Sequence, residues 1–201
     1  MNKLSPTLLI KSLKMRASTS SLVLCLSCVV PFFLFTASIA GGGETLKPLA
    51  GGKEYSSVMG RYMISFPQSW TINPGDRGLV TGWSKPEKGA TVGASVTVFP
   101  GALDSPMNAA ELMTRYLAGM KEDGFKDGFK KTEEHHGKVN GRDAVWVVVD
   151  INSNGTLRRA LVLGTTEGKT AYILTCSTLP EKFDSVRPTF EGICGTFKVT
   201  K

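Results

Sequence analysis

The sequence predicts an α+β domain in which an antiparallel sheet is covered by helices. Short strands with alternating apolar residues lie on both sides of one amphipathic segment, and a second helical segment precedes the last strand. Within the strand expected at 142–151, residues 144–151 are apolar at both alternating sets of positions apart from Asp150, which is typical of a strand buried on two faces. Such a strand needs cover on both faces, which the two helices can provide, one on each side or both together with loops.

The first forty residues have the pattern of a secretory signal. They contain four basic residues and no acidic one, then an apolar run over 22–35, and then Ser38 and Ala40 in front of three glycines. We expect cleavage after Ala40 and a secreted or periplasmic location.

Three alternatives to this interpretation remain open. Residues 21–40 are long enough to be retained as a membrane anchor, which would hold the domain near a membrane. Cys28 is a weaker candidate for lipid attachment. Met15 is a second plausible start of translation.

Removal of the signal changes the charge and the cysteine count. The chain has 24 Lys and Arg against 17 Asp and Glu, so loss of four basic residues lowers the net charge from +7 to +3. The remaining basic residues are scattered, which argues against a nucleic-acid partner. Cys176 and Cys194 remain, and an even pair in an exported domain indicates a disulfide worth roughly 3 kcal/mol. Two buried free thiols are the alternative.

Residues 41–54 are rich in glycine and predict a flexible linker, so we expect the domain to span 55–201. Its first strand covers 61–66 and ends at Pro67. A turn at 73–76 precedes a second strand at 79–83. A third strand covers 94–99, and we expect Pro100 and Gly101 to end it.

A helix should follow, with Asn108 as its N-cap and Glu111 completing a capping box. Its apolar residues recur at helical spacing, and Gly124 should end it. The apolar positions are Leu112, Met113, Tyr116, Leu117 and Met120.

A meander of strands comes next. Residues 129–137 and 142–151 should pair around Asn140-Gly141, and Asn154-Gly155 should turn the chain into 156–165. A further strand covers 171–176, with Tyr172, Leu174 and Cys176 on one face.

The last helix should begin at Thr178 as its cap, with Pro180 in the first turn. Phe183, Val186 and Phe190 should face the core, while Pro188 should kink or split the helix. Residues 195–199 form the closing strand, so a disulfide between Cys176 and Cys194 would join this helix to the sheet.

Residues 59–70, with the sequence MGRYMISFPQSW, resemble the opening strand and turn of PsbP-like domains. Residues 139–144, 171–174 and 195–197 continue the resemblance, which covers 55–201. The wider group includes the photosystem II protein PsbP, the Ran-binding Mog proteins and periplasmic DcrB-like proteins. The resemblance implies an α/β/α sandwich, with an antiparallel sheet between helices. It also implies a non-enzymatic binding or assembly module. The module should be of the DcrB-like extracytoplasmic type, because 41–54 does not resemble the PsbP binding segment.

Residues 133–136 form the only dense set of metal-capable side chains. On a strand, Glu133 and His135 share one face while Glu134 and His136 share the other. Two ligands per face suffice for a weak surface metal site but not for a structural zinc site. The metal candidates are therefore His135, His136 and Glu133, and a solvated strand end is the other interpretation.

The function expected from these observations is binding without catalysis. No serine lies in a nucleophile elbow and the chain has only two histidines, so we expect no enzyme and no cofactor. The partner should be an extracytoplasmic protein, bound through an exposed apolar or charged patch. The alternative is a small metal-binding protein in which Glu133, His135 and His136 meet a carboxylate from another strand.

Overall fold

The structure is a computed structural model and describes residues 44–86, 93–123, 128–153 and 155–201, without the side chains of 123 and 153. The predicted signal, residues 41–43, the expected helix stop at Gly124 and the turn residue Asn154 lie outside the described residues.

The described chain forms two helices and eleven strands. The helices are α1 Ala109–Asp123 and α2 Pro180–Thr196. The strands are β1 Glu44–Thr45, β2 Lys53–Ser57, β3 Tyr62–Phe66, β4 Thr71–Pro74, β5 Val80–Trp83, β6 Ser95–Ala102, β7 Lys130–Val139, β8 Arg142–Ser153, β9 Thr156–Glu167, β10 Thr170–Thr178 and β11 Lys198–Val199.

Eight strands make the large sheet, in the order β1-β7-β8-β9-β10-β6-β5-β4. Strands β7 to β10 follow one another as an antiparallel meander, and only β1 pairs in parallel with its neighbour. Three strands make a small antiparallel sheet in the order β11-β3-β2. The α+β class and the covered antiparallel sheet are confirmed.

Strand β8 separates two hydrophobic cores, as its doubly apolar pattern predicts. Ala144, Trp146 and Val148 belong to one core, while Val145 and Val147 belong to the other together with the apolar residues that follow on the same face. A strand of period two sends alternate side chains to opposite faces, so each face of the sheet has its own apolar cover.

The first face, here called the aromatic face, is covered by α2 and the small sheet. Its core holds most of the large rings of the domain, and Trp70 meets Phe190 edge to face with centroids 6.5 Å apart. The buried rings are Tyr62, Phe66, Trp70, Trp146, Tyr172, Phe183, Phe190 and Phe197.

The second face, here called the aliphatic face, is covered by α1. The Asn108 side chain accepts a hydrogen bond from the Glu111 N–H at 2.8 Å, so the predicted cap is confirmed. Four residues of the predicted stripe are buried against the sheet, and Leu117 is half-buried. The four are Leu112, Met113, Tyr116 and Met120.

The segment predicted as a flexible linker is packed on the domain from residue 44 onward. Strand β1 pairs with β7, Leu46 is buried, and the Leu49 N–H donates to the Gly192 carbonyl at 2.9 Å. Gly137 permits this approach, since a Cβ there would lie 1.9 Å from the Glu44 carbonyl oxygen. The segment from Glu44 onward is therefore in contact with the domain, where its glycine content predicted a flexible linker.

Two expectations about prolines in the first half are wrong. Residues 71–74 form β4, and the chain reverses at Gly75 to Leu79, whose backbones form a 2.8 Å hydrogen bond. Strand β6 continues through Pro100 to Ala102. Beyond Val98 one edge of β6 has no strand partner, so a proline there removes no ladder hydrogen bond.

The last helix also differs from the prediction. Thr178 ends β10 and does not cap α2, whose N-cap position is occupied by Leu179 without a side-chain bond. Helix α2 runs unsplit through Pro188, because the residues after it, including Phe190 and Ile193, are buried on the sheet. The helix continues beyond residue 195, which shortens the closing strand to the two residues of β11.

Candidate functional site

The metal candidates lie on β7, at one side of the large sheet. The pairing of β7 with β8 places His135 opposite Trp146, on the aromatic face, and His136 opposite Val145, on the aliphatic face. As predicted, Glu133 and His135 share one face of the strand, and Glu134 and His136 share the other.

His135 lies between two carboxylates from different strands. Its Nδ1 is 2.9 Å from a Glu44 oxygen on β1, and its Nε2 is 3.2 Å from a Glu133 oxygen. The imidazole also stacks on Trp146, with ring centroids 5.7 Å apart and planes 7° apart. The ring is thus fixed on both nitrogens and on one face.

Arg187 of α2 holds Glu133 with a two-pronged ion pair. Its Nη1 and Nη2 donate to the two Glu133 oxygens at 3.0 and 2.8 Å, and its Nε donates to Glu191 at 2.7 Å. The Arg187 hydrogen bonds hold the pKa of Glu133 below its usual value, although partial burial opposes this. The pair joins α2 to β7 and has a structural role.

The three metal candidates do not surround one point. Glu44 and Glu133 contact different nitrogens of His135, while His136 lies on the opposite face, 2.9 Å from a Glu134 oxygen. Across the described ranges, no group of three or more His, Cys, Asp and Glu side chains is arranged to hold a metal ion. The geometry fits ion pairs at a sheet edge.

The two cysteines meet between the sheet and α2, where the predicted elements place them. Cys176 Sγ lies 3.5 Å from Cys194 Sγ, and both side chains are buried as free thiols. Burial raises the pKa of the Cys176 thiol, and the neighbouring Cys194 raises it further. A thiol with a raised pKa is a poor nucleophile, so Cys176 is unsuited to thiolate catalysis.

An exposed apolar turn connects β2 to β3. Val58 is 89% exposed and Met59 is 75% exposed, while Leu157, the third exposed large apolar residue of the described chain, is 49% exposed. Two adjacent apolar side chains at the tip of a turn cost solubility without supporting the core, so they are candidates for contact with another molecule.

Buried hydrogen bonds support this turn from beneath. Ser57 Oγ accepts the Gly60 N–H at 3.0 Å, and the Tyr62 hydroxyl donates to the Gly78 carbonyl at 2.6 Å. Gly78 has φ of 81°, and a Cβ there would lie 2.5 Å from the Gly60 nitrogen. The turn therefore packs directly on the 3-10 turn Asp76–Gly78 and is anchored there by the Tyr62 hydroxyl.

Two exposed arginines flank the apolar tip. Arg61 and Arg77 have φ of 53° and 55°, a left-handed conformation that non-glycine residues adopt at some energetic cost. Neither guanidinium has an ion-pair partner within the described ranges, whereas the Arg61 carbonyl accepts the Thr200 N–H at 2.8 Å. The β2–β3 turn thus presents two apolar side chains beside unpaired positive charge.

The sequence analysis did not select Val58 and Met59 as a site. A signal was present, because both residues precede Gly60 and lie outside the alternation that starts at Tyr62. Their exposure follows from the turn, which the structure reveals through the pairing of β2 with β3.

The sequence matches no protein-family model, and no curated protein is significantly similar to it. Solved structures do resemble it. The cyanobacterial PsbP protein CyanoP from Synechocystis sp. PCC 6803 is 16% identical, with a TM-score of 0.57 over 82% of this chain and 98% of that one.

Two further structures have the same fold. The Ran-binding protein Mog1p of Saccharomyces cerevisiae is 11% identical, with a TM-score of 0.56 over 75% of this chain and 96% of that chain. LpqN of Mycobacterium tuberculosis, described as involved in cell envelope biogenesis, is 13% identical, with a TM-score of 0.52 over 80% and 100%.

This chain therefore has the PsbP-like fold shared with the Mog proteins. The residues of the PsbP-like opening motif have structural positions in it, since Tyr62, Ile64, Phe66 and Trp70 are all buried in the core of the aromatic face. Of the helices in the described part of the chain, none combines the length and apolar character needed to cross a membrane.

Proposed function

We propose that this protein is an exported, non-enzymatic binding or assembly domain that recognises an extracytoplasmic protein through its β2–β3 turn. The observation that carries the proposal is the pair of exposed apolar residues, Val58 and Met59, on a turn held rigid from beneath. Burial of these two side chains would stabilise a complex by roughly 1.5–3 kcal/mol each. A preorganised turn loses little conformational entropy on binding, which favours recognition.

Export is supported by the amino-terminal sequence. The basic residues, the apolar run over 22–35 and the small residues before Gly41 form a signal pattern. One solved neighbour is described as Ran-binding, which agrees with a binding role, and another is described as involved in cell envelope biogenesis, which agrees with an extracytoplasmic location. Fold likeness alone does not select a partner, so the turn must be tested directly.

An exported domain also gives the two buried cysteines an oxidising environment. The 3.5 Å separation of Cys176 Sγ and Cys194 Sγ needs only a small movement to form a bond. The disulfide is part of this proposal.

The test of binding compares two surface variants. The Val58→Ser/Met59→Ser protein and wild type are expressed with the native signal and captured from the envelope fraction, and the co-purified proteins are quantified. We expect loss of a specific partner by at least about tenfold in the double variant, since about 1.4 kcal/mol corresponds to one factor of ten.

Leu157→Ser is the matched control, because Leu157 is also an exposed apolar residue but lies at the start of β9. It should retain the partner. Equal recovery of every co-purified protein by wild type and the double variant would contradict the proposed role of the turn.

Amino-terminal sequencing of the purified protein tests export separately. A start at Gly41 is the expected result. An intact start at Met1 or Met15 would contradict cleavage and would indicate that residues 21–40 anchor the protein in a membrane.

A further inference from the structure

Two adjacent arginines at the start of β9 have opposite surroundings. Arg159 points to the aromatic face, where its Nε and Nη2 donate to the two oxygens of Asp150 at 2.7 and 3.1 Å. Its guanidinium also lies 6.0 Å from the centre of the Phe183 ring. The charge of Arg159 is therefore fully compensated within the domain.

Arg158 points to the aliphatic face and has no such compensation. Its Nη2 donates to the Ser177 carbonyl at 3.3 Å, while its Nε is buried without a hydrogen-bond partner in the described chain. Burial lowers the pKa of Arg158, and no carboxylate pairs with it among the described residues. A half-buried guanidinium without a counter-charge is costly unless an anion satisfies it.

Hydroxyl groups line the sheet beside Arg158. The strand register places Ser177 and Thr175 of β10 on the same face as Arg158. The Ser177 hydroxyl lies 3.3 Å from that of Ser95 on β6. The Thr175 hydroxyl is buried near Tyr116 of α1, and it makes no well-formed hydrogen bond within the described chain. The three hydroxyl-bearing strand residues are half-buried, at the margin of the core that α1 covers.

We propose that Arg158, together with the hydroxyl of Ser177, binds an oxyanion, with a phosphate group as the ligand class. The guanidinium presents N–H groups in a fork that matches two oxygens of such an anion. The neighbouring Ser177 hydroxyl can donate to a further oxygen, which a phosphate has and a carboxylate lacks. The site lies on the aliphatic face, and it does not depend on the role proposed for Val58 and Met59.

In the test, the protein is purified in the form that cells produce. Inorganic phosphate is then titrated into it at constant ionic strength. Calorimetry gives the affinity, and amide chemical shifts locate the site. We expect saturable binding, with the largest shifts at Arg158 and Ser177. Acetate, which has two oxygens, should bind more weakly than phosphate.

Two variants distinguish the site from general charge attraction. Arg158→Gln should weaken phosphate binding at least about tenfold, as expected for loss of a hydrogen bond to a charged group. Arg159→Gln removes the same charge from the opposite face and should leave the affinity within about twofold, well below that tenfold step.

Ser177→Ala tests the hydroxyl contribution and should also weaken binding. Circular dichroism confirms that each variant is folded. The proposal is overturned if phosphate fails to saturate, if the shifts spread over the whole surface, or if Arg158→Gln and Arg159→Gln bind phosphate equally.

Discussion

The two faces of the large sheet differ in how completely their charged and polar side chains are paired within the domain. The aromatic face buries eight large rings, and its charged residues Arg159 and Arg187 are each paired with carboxylates. The aliphatic face is packed mainly with Val, Ala, Leu and Met under α1, and it leaves Arg158 and Thr175 with unpaired buried atoms. The buried side-chain atoms that lack a hydrogen-bond partner in the described chain thus lie on the aliphatic face.

The largest expected effect comes from a cavity in the aromatic face. Phe190→Ala removes a fully buried ring that contacts Trp70 and Phe183, so we expect a loss of about 3–5 kcal/mol in the free energy of unfolding. Leu112→Ala, on the aliphatic face, should cost about 2–5 kcal/mol. Urea denaturation measures both, and a loss below about 3 kcal/mol for Phe190→Ala would break the comparison.

The cysteine pair lies in the core of the aromatic face and tests the stability of that face under oxidising and reducing conditions. In the protein recovered from an exported compartment, reduction of the proposed Cys176–Cys194 bond should lower the free energy of unfolding by roughly 3 kcal/mol. Thiol alkylation after unfolding, followed by mass spectrometry, reports the oxidation state. The Cys176→Ala/Cys194→Ala variant should show no response to reductant. Two alkylated thiols in the untreated exported protein would contradict the disulfide.

A smaller effect is expected at the start of α1. Asn108→Ala removes the hydrogen bond to the Glu111 N–H and should cost about 1 kcal/mol, which thermal unfolding detects. Ser105→Ala is the control, because Ser105 is exposed and its side chain has no hydrogen bond among the described residues. An equal effect of both substitutions would show that the cap contributes nothing.

The smallest effect concerns the ion pair that joins α2 to β7. Arg187 lowers the pKa of Glu133 in the folded protein, so the unfolded chain binds a proton more readily. The resulting stabilisation is present above the usual carboxyl pKa of 4.5 and is lost as the pH falls through the lowered folded value. Because the pair is partly exposed, it should contribute roughly 0–1 kcal/mol.

Urea denaturation of wild type and Glu133→Gln at several pH values checks this dependence. The difference in stability should be largest near about pH 7 and should shrink toward about pH 3. Glu54→Gln, at an exposed residue of β2 with no ion pair in the described chain, should show no such trend. A difference that stays constant with pH would rule out the ion pair as its cause.

Regular local patterns made the central part of the fold predictable. The two-faced pattern of 142–151, the Asn140-Gly141 turn and the stripe on α1 all depend on neighbours in sequence, and the structure shows each of them. Asn140 and Gly141 have φ of 48° and 79°, as a tight hairpin of this type requires.

Features that depend on tertiary contacts were missed. Strand β1 has two residues and exists because Gly137 admits the backbone of Glu44. Helix α2 passes Pro188 because the apolar residues beyond it pack on the sheet, which outweighs the local preference of proline. The isolated charge of Arg158 is likewise invisible in sequence, since Arg159 beside it has the same chemistry and a different face.

A photoreactive amino acid placed at Met59 in the living cell tests the central claim most directly. The account predicts a discrete adduct with one extracytoplasmic protein when position 59 carries the probe, and no such adduct when position 157 carries it. Absence of an adduct at 59, or the same adducts from both positions, would contradict recognition through the β2–β3 turn.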